Sequence, residues 1–107
     1  AINSEGRTII ENVEDIFYIE TYNRGCKIYT TEGEYCENKS IGEYEKKLDP
    51  KQFFRIHKSI IINLDKVREV FPWGSNSFSL RMRGYEDKIL PIARDKTRIL
   101  KQHLMGL

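Results

Sequence analysis

Positions 53–64 of the chain read Phe53-Phe54-Arg55-Ile56-His57-Lys58-Ser59-Ile60-Ile61-Ile62-Asn63-Leu64, in which a polar tripeptide, His57-Lys58-Ser59, separates two apolar runs. The apolar runs are typical of strands in a buried core. Burying a cation or an imidazolium between them would be costly, so we expect the tripeptide at the surface, in a loop or at a strand end. A cation, a titratable ring and a hydroxyl held at one place favour an anionic partner, phosphate above all. The stretch therefore indicates binding rather than catalysis.

Short β-rich runs recur on both sides of this stretch and predict a mainly β domain. Residues 78–83 alternate apolar and polar side chains, as a half-buried strand does, and Gly84 with Glu86-Asp87 predicts a hairpin turn before Lys88. The predicted strands are residues 7–11, 16–21, 26–31, 34–38, 53–56, 60–63, 67–71, 77–83 and 88–92.

Two short helices complete the predicted fold. Ser40 and Glu43 have the spacing of a capping box, which predicts a helix over residues 41–48 that ends before Pro50. The second predicted helix covers residues 95–105 and docks an apolar stripe on the sheets. Its stripe consists of Thr97, Leu100, Lys101 and Leu104, with Ile99 beside them.

Length and charge are consistent with one small binding domain over residues 1–107. The net charge of the 107 residues is only +2, but residues 1–50 hold six Lys/Arg against eleven Asp/Glu, while residues 51–107 hold twelve against five. A one-sided basic field steers a protein toward polyanions, although solvated surface charge explains the same composition. No apolar run approaches the ~20 residues that a membrane span needs. The chain starts at Ala1 without Met, and we expect it to be a piece cut from a longer protein.

The two cysteines predict free thiols. A turn at residues 31–34 places Tyr29 opposite Cys36 and Cys26 opposite Lys39 in a hairpin, so the two sulfur atoms lie on opposite faces of the sheet. A disulfide is not expected in this register, which favours a reduced, cytosolic protein.

The central stretch resembles the signature of LytTR DNA-binding domains, which is roughly F-x-R-[IV]-H-x-S-[FY]-x-[IV]-N-x-x-x-[IV]. Flanking blocks resemble the family's early strand (residues 15–20) and its late P-[IV]-S-R block (residues 90–94), so that the resemblance covers the chain from about Ile9 to Leu104. The positions that match the central signature are Phe53/Phe54, Arg55, Ile56, His57, Ser59, Ile62, Asn63 and Val67. The resemblance implies an elongated domain of several small, mostly antiparallel sheets with two short helices, which reads duplex DNA through loops at one edge and lacks a helix-turn-helix.

Under this resemblance, the first loop on the DNA is residues 22–27. Asn23, Arg24 and Gly25 suit a tight turn, and Arg24 and Lys27 can reach phosphates or guanine edges. The family often places a base-contacting side chain near Cys26, a poor hydrogen-bonding residue, so the contact can pass to Lys27 or Arg24. Taken alone, this segment is better explained as a solvated hairpin loop.

The second loop is the tripeptide itself. Lys58 occupies the variable position of the signature, where the family presents a side chain to base edges or the groove, and His57 and Ser59 are candidates for phosphate contacts. A structural role for His57, hydrogen-bonded to the backbone so that it pins the strand crossing, stays open. We expect Asn63 to satisfy backbone groups in a turn rather than to touch DNA.

The third site is the start of the second helix. The resemblance places Arg94 in a major groove, where arginine can bind guanine through two hydrogen bonds, and Lys96 is a candidate phosphate contact beside it. Ala93 replaces the family's serine, and Asp95 has the alternative of pairing with Arg94 or Arg98. In the loop around Trp73, Ser75 and Asn76 are candidate phosphate donors, while Trp73 itself is more simply a partly buried anchor.

Other functions find less support in the sequence. The two histidines, His57 and His103, have no nucleophile, metal-ligand or glycine-rich pattern around them, so we expect no enzyme, no metal and no cofactor or small-molecule ligand. A β module that binds a protein or single-stranded nucleic acid is the alternative, with Tyr18, Tyr22, Tyr29 and Tyr35 as an aromatic platform. The partners implied by the family are duplex DNA, bound as tandem sites by two copies, and a receiver domain in the full-length protein.

Overall fold

A computed structural model describes residues 1–106 and shows a mainly β fold in three antiparallel sheets. Within these residues the strands are β1 (Ile2–Ser4), β2 (Arg7–Ile9), β3 (Ile16–Tyr22), β4 (Gly25–Thr30), β5 (Gly33–Glu37), β6 (Phe53–His57), β7 (Ile60–Asn63), β8 (Val67–Pro72), β9 (Phe78–Met82) and β10 (Tyr85–Ile92). The helices are α1 (Ile41–Lys47) and α2 (Arg94–Met105), and 3-10 turns cover Val13–Asp15 and Leu64–Lys66. The predicted fold class is confirmed.

The largest sheet has five strands in the order β5-β4-β3-β7-β6. The second apolar run of residues 53–64 forms β7, which pairs with β3 through Tyr18↔Ile62 and Glu20↔Ile60. Ile60 and Ile62 pack into the core on one face and Ile61 into the core on the other. This explains the unbroken isoleucine run, because a central strand covered on both faces needs apolar residues at consecutive positions.

Smaller elements cover both faces of this sheet. The three-stranded sheet β10-β9-β8 and α2 pack on one face, where Leu80, Met82 and Leu100 are fully buried. The β1-β2 hairpin and α1 pack on the other face through Ile2, Ile41 and Tyr44. The molecule measures 43 × 26 × 26 Å, in agreement with the elongated shape that the resemblance implies.

Both helices begin close to their predicted positions. Ser40 accepts the Glu43 backbone N–H at 3.2 Å and the Glu43 carboxylate accepts the Ser40 N–H at 3.4 Å, which completes the capping box. The second helix starts one residue before its predicted start, at Arg94, and only part of its predicted stripe is covered. Leu100 is buried, whereas Ile99 is exposed.

Three details of the strand predictions were wrong. The sequence missed β1, and Glu86-Asp87 lies inside β10, because the turn falls at Arg83-Gly84 and Gly84 takes a φ of 83°. The β4–β5 register is shifted, with Tyr29 opposite Glu34 and Cys26 opposite Glu37.

The shifted β4–β5 register has a local cause. Thr30 Oγ1 accepts the backbone N–H groups of Glu32 at 3.1 Å and Gly33 at 3.2 Å, which closes a tighter turn than the sequence suggested. The two cysteines still lie on opposite faces, since Cys36 pairs with Lys27 rather than with Cys26. Within residues 1–106 both cysteines are free thiols, as predicted, with Cys26 buried and Cys36 exposed.

Candidate nucleic-acid interface

The three predicted loops meet at one end of the five-stranded sheet, and backbone hydrogen bonds hold them together. The Thr21 N–H donates to the Ser59 carbonyl at 3.0 Å, which places the β3–β4 turn beside the His57–Ser59 turn. The Ala93 N–H donates to the Ile56 carbonyl at 2.8 Å, which places the first turn of α2 beside the same strand end. Phe78 pairs with Ile92, and this brings the loop over residues 73–77 to the same end. We call this surface, formed by residues 23–24, 57–59, 75–76 and 93–98, the basic end.

The His57–Ser59 turn is braced by its own side chains. His57 Nδ1 accepts the Ser59 backbone N–H at 3.2 Å and lies 2.9 Å from Ser59 Oγ. A ring nitrogen that accepts a backbone N–H carries no proton, so the neutral imidazole holds its proton on Nε2. The structural role that the sequence left open for His57 is therefore present, and Nε2 remains a donor. Lys58, at the tip of the turn, is exposed.

Arg55 fixes the same turn from below. One guanidinium nitrogen, Nη2, donates to the Lys58 carbonyl, and the other, Nη1, lies 2.9 Å from the Glu45 carboxylate on α1. Sequence reasoning included Arg55 in the signature but gave it no role. The signal was present, because an arginine inside an otherwise apolar strand needs fixed partners for its donors. Arg55 is thus a positioning residue for the turn that presents Lys58.

The start of α2 lies across a trough from this turn. The trough has a volume of about 360 Å³ and brings Lys96, Ala93 and Asp95 next to His57 and Lys58. Ala93 is the N-cap residue and has no side-chain oxygen for the first free N–H groups of the helix. These backbone donors therefore stay available to an anion, in the same place as the amino groups of Lys58 and Lys96.

Arg94 lies on the other side of the α2 start, in a second cleft. This cleft has a volume of about 510 Å³ and places Arg94 with Asn76, Arg98 and Lys101. The sequence analysis did not assign Arg98 and Lys101 to a binding site, because Lys101 falls on the helical stripe that was expected to dock on the sheets. The spacing of Arg94, Arg98 and Lys101, which puts all three on one helix face, was the signal that could have found them.

The first predicted loop is much shorter than expected. Only Asn23 and Arg24 form the turn, with φ of 45° and 64°, and residues 25–27 belong to β4. Gly25 is required by close packing and not by the conformation of the turn, because a Cβ at this position would lie 2.3 Å from the Glu37 carbonyl oxygen. Arg24 is exposed at the tip, whereas Asn23 faces a separate cleft beside Asn3 and Glu37.

Two residues of this loop that were expected to contact bases, Cys26 and Lys27, do not lie at the tip of the turn. Cys26 is fully buried, and burial followed by the nearby Glu37 carboxylate raises the pKa of its thiol. The expectation that Cys26 contacts a base is therefore wrong for this conformation, because strand alternation turns its side chain into the core. Lys27 lies on the face of the sheet, 3.5 Å from a Glu34 oxygen and 4.5 Å from the centroid of the Tyr22 ring, rather than at the tip of the turn.

Two other expectations also have a structural outcome. Asn63 is fully buried, donates to the Ile16 carbonyl at 2.9 Å and accepts the Asp65 N–H at 3.0 Å, as predicted for a residue that satisfies backbone groups. Trp73 was expected to be a partly buried anchor, but 54% of its surface is exposed, and its ring lies nearly perpendicular to the Phe71 ring with the two centroids 5.9 Å apart. Among the described residues, no helix is long and apolar enough to cross a membrane.

Comparison with known proteins identifies the family. The model of the LytTr DNA-binding domain matches residues 6–105. The transcriptional regulatory protein YpdB of Escherichia coli strain K12 is 34% identical over 96 residues, which cover 90% of this chain and 39% of that protein. The sensory transduction protein LytT of Bacillus anthracis is 29% identical over 104 residues, which cover 97% of this chain and 42% of that protein. The chain thus spans about two fifths of the length of these curated relatives.

A solved structure supports the fold independently. The LytTr DNA-binding domain of a putative methyl-accepting/DNA response regulator from Bacillus cereus superposes with a TM-score of 0.73. At 21% sequence identity, the superposition covers 88% of this chain and 84% of that one. The match to the family model extends over nearly the whole chain, including the turn that carries Lys58 and the helix start that carries Arg94. This chain belongs to the family of LytTr DNA-binding domains.

Proposed function

We propose that the chain reads a specific sequence of duplex DNA with its basic end, and that it acts in this way in transcription regulation. The observation that carries the proposal is the convergence of the cationic segments. The Ser59 and Ile56 carbonyls, which lie on either side of Lys58, bond to the backbones of β3 and of the α2 start. Lys58, Arg94 and Lys96 are held on this rigid frame, which is what groove recognition requires of side chains that must find base edges.

The contacts divide into two groups under this proposal. Arg94, Lys58 and Arg24 supply sequence choice, because arginine and lysine can contact the acceptor edge of guanine. Phosphate contacts come from His57 Nε2, Ser59, Lys96, Ser75, Asn76 and Asn23, together with the free N–H groups at the start of α2. Lys27 contributes only if its pair with Glu34 opens. Basic side chains provide affinity by releasing counterions, so binding weakens steeply with salt.

The cleft that contains Arg94 adds two candidates to this surface. Arg98 and Lys101 share a cleft with Arg94 and Asn76, so they extend the cationic strip along one face of α2. Neither lies at the tip of a turn, and we assign them to phosphates rather than to bases.

The relatives suggest a cellular setting, which we include in the proposal. The named relatives are a transcriptional regulatory protein and sensory transduction proteins that are longer than this chain. We infer that the domain is the output part of a bacterial response regulator in a two-component system, joined to a receiver domain in the cytoplasm. Two copies would bind tandem sites. In this role the domain is a binding module rather than an enzyme.

The alternative of a platform for single-stranded nucleic acid has less support from the positions of the tyrosines. Tyr18 and Tyr29 stack on each other at a centroid distance of 4.0 Å and are buried in the core, so their faces are not available to bases. Tyr22 is exposed, but Lys27 lies over its ring.

Selection from a random duplex library, followed by a salt titration on the enriched site, tests the proposed function. We expect one enriched motif, affinity that falls steeply between ~50 and ~200 mM salt, and weak competition by single-stranded DNA of the same sequence. Retention of single strands in preference to duplex, or binding without an enriched motif by a protein that carries two linked copies, would contradict the proposal.

A further inference from the structure

A pocket on the side of the molecule lies between α1, β6 and α2 and adjoins the basic end, with which it shares Lys96. It has a volume of about 310 Å³, at the small end of the range that ligand pockets occupy, ~300–1,000 Å³. Its apolar lining comes from Leu48, Pro50, Phe53, Phe54 and Ile61. We call it the α1–α2 pocket.

Three nitrogen-bearing side chains line the same pocket. Lys96 and His103 project from one face of α2, and both lie against Phe54, with the Lys96 Nζ 5.8 Å from the ring centroid and the His103 ring 5.3 Å from it. Arg55 forms part of the wall, opposed by the single carboxylate of Glu45. The pocket therefore combines an apolar floor with a rim that donates more hydrogen bonds than it accepts.

Arg55 is incompletely satisfied in this wall. Its Nε–H is buried and has no hydrogen-bond partner among residues 1–106, although both Nη groups are engaged. A buried donor without an acceptor is costly, and such a group in a native fold calls for an explanation. An acceptor that enters beside the guanidinium would relieve this cost.

We propose that the α1–α2 pocket binds a small organic acid with an aromatic or branched apolar body and one carboxylate. The apolar body lies on Phe54, Leu48 and Pro50, and the carboxylate accepts hydrogen bonds from Lys96, His103 and the Arg55 guanidinium. Inorganic phosphate or a DNA backbone does not match the site, because five of its lining residues are apolar. A neutral ligand would leave the donors at the rim without a new partner.

Occupation of the pocket is coupled to DNA binding, a step that rests on the proposed function. Arg55, Glu45 and Lys96 line both the α1–α2 pocket and the trough beneath Lys58. A bound carboxylate draws on the same guanidinium that holds the Lys58 carbonyl, and it adds a negative charge next to Lys96. The acid therefore weakens DNA binding, and by thermodynamic reciprocity DNA weakens binding of the acid.

The pocket itself can be tested without DNA, by titrating the ¹⁵N-labelled protein with 2-naphthoate and recording amide chemical shifts. We expect saturable shifts confined to residues 45–61 and 96–104, and at least ten-fold weaker binding of the neutral analogue 2-naphthalenemethanol. Lys96→Gln should weaken naphthoate binding at least five-fold. The matched control Lys101→Gln should not, because Lys101 lies over Phe78 on another face of α2, 3.8 Å from that ring centroid.

Equal affinity for the neutral analogue, equal losses in the two lysine variants, or shifts that spread over the surface without saturation would overturn the proposal. Retained peak dispersion in each variant excludes unfolding as the cause. With DNA present, naphthoate should raise the Kd for the selected duplex at least three-fold in the wild type and not in His103→Gln, a residue outside the basic end. If naphthoate leaves the Kd of the wild type for DNA unchanged, the coupling is overturned. If the protein does not bind DNA at all, the proposed function fails, but the naphthoate titration without DNA still tests the pocket.

Discussion

Arg94 and Lys58 differ in how the fold holds them, although both are exposed cations of the basic end. The backbone carbonyl of Lys58 accepts a hydrogen bond from Arg55. Arg94 is the first residue of α2 and follows Ala93, whose N–H donates to the Ile56 carbonyl. Each side chain is long, but its starting point is rigid, which limits the entropy that a base contact must overcome. Under the proposed function, specificity at this surface would depend on these backbone anchors as well as on the cations themselves.

Replacement of Arg94 by alanine tests base recognition. We expect Arg94→Ala to weaken binding to the selected duplex by about 1–3 kcal/mol and binding to random duplex by much less, because a bidentate contact with guanine exists only at the specific site. The measurement is a pair of Kd values at one salt concentration. Arg83→Gln, an exposed arginine at the β9–β10 turn, is the control and should change neither value. Equal losses on both duplexes would reduce Arg94 to a phosphate contact.

Replacement of Arg55 tests whether a residue that does not itself contact DNA positions the turn that carries Lys58. Arg55→Gln removes the donor to the Lys58 carbonyl and the partner of Glu45, so we expect a loss of about 1–2 kcal/mol in the free energy of unfolding. The affinity for DNA should fall in the same variant. Glu45→Gln should lower the free energy of unfolding and the DNA affinity much less. Denaturant titration and Kd measurement check the two effects. Full DNA affinity in Arg55→Gln would show that the turn keeps its shape unaided.

At the scale of elements, local sequence patterns predicted most of the strands and both helices. The isoleucine run of β7 and the capping box of α1 carry their signals within a few residues. The missed strand β1 is only three residues long, too short for a clear alternation; it pairs with β2 in a hairpin, and the Glu37 carboxylate accepts the Asn3 N–H at 2.9 Å. A contact between residues 34 positions apart cannot be inferred from local periodicity.

The same reasoning explains what was missed at the site. The turn that carries Lys58 was recognised from three adjacent polar residues, and the structure places it as expected. Cys26 was expected to contact a base because the family often places such a side chain near it, but β4 already begins at Gly25, which packs closely on Glu37, and the Cys26 side chain is buried. Arg55 and Arg98 each had a local signal, but their partners did not: Glu45 lies on a different element from Arg55, and Asn76 meets Arg98 only because the loop before β9 reaches α2.

Glu37 links three elements and makes stability depend on pH. Burial alone would raise the pKa of its carboxyl, but hydrogen bonds from Tyr44 and the Asn3 N–H, together with Lys39, hold that pKa below its ordinary value of 4.5. A lowered folded-state pKa contributes stability above the unfolded pKa of ~4.3 and loses it as the pH falls through the folded value. We therefore expect the free energy of unfolding to decline below about pH 5.

Variants isolate the part of this decline that belongs to Glu37. In Glu37→Gln the slope of stability against pH should be shallower, and Tyr44→Phe should reduce it partially, since one stabilising hydrogen bond is lost. Chemical denaturation at pH values between 3 and 7 measures both slopes. Identical slopes in the wild type and Glu37→Gln would contradict the assigned role.

Two glycines of neighbouring elements should respond in opposite directions to alanine. Gly25→Ala places a Cβ 2.3 Å from the Glu37 carbonyl oxygen, which must move the β4–β5 contact, and we expect a loss of about 1–3 kcal/mol. Gly42→Ala in α1 meets nothing closer than 3.9 Å and replaces glycine inside a helix, so we expect a gain of up to about 1 kcal/mol. Thermal or denaturant unfolding of the two variants checks the contrast. If Gly25→Ala leaves the free energy of unfolding unchanged, β4 and β5 can move apart at this position without loss of stability.

At the scale of the whole molecule, β3 connects two different ends of the domain. β3 spans seven residues, or roughly 20 Å, from Ile16 and Phe17 at one end to Thr21 and Tyr22 at the other. Gly84 packs against Phe17, and the Arg83 N–H bonds to Lys66, so the β9–β10 turn lies at the end opposite to Ser59. The acidic residues Glu11, Asp15 and Glu32 lie close to one another near the start of β3, and burial followed by these neighbours raises the pKa of Glu11. The basic end and this cluster of carboxylates therefore lie at opposite ends of β3.

The most direct measurement is a map of amide chemical shifts of the ¹⁵N-labelled protein when the selected duplex is added. We predict that the perturbed residues cluster at the basic end, in residues 23–24, 57–59, 75–76 and 93–98, while residues 31–33 and 83–87 at the opposite end keep their free positions. Perturbation centred on residues 31–33 and 83–87, with the Lys58 turn and the start of α2 unchanged, would contradict the account.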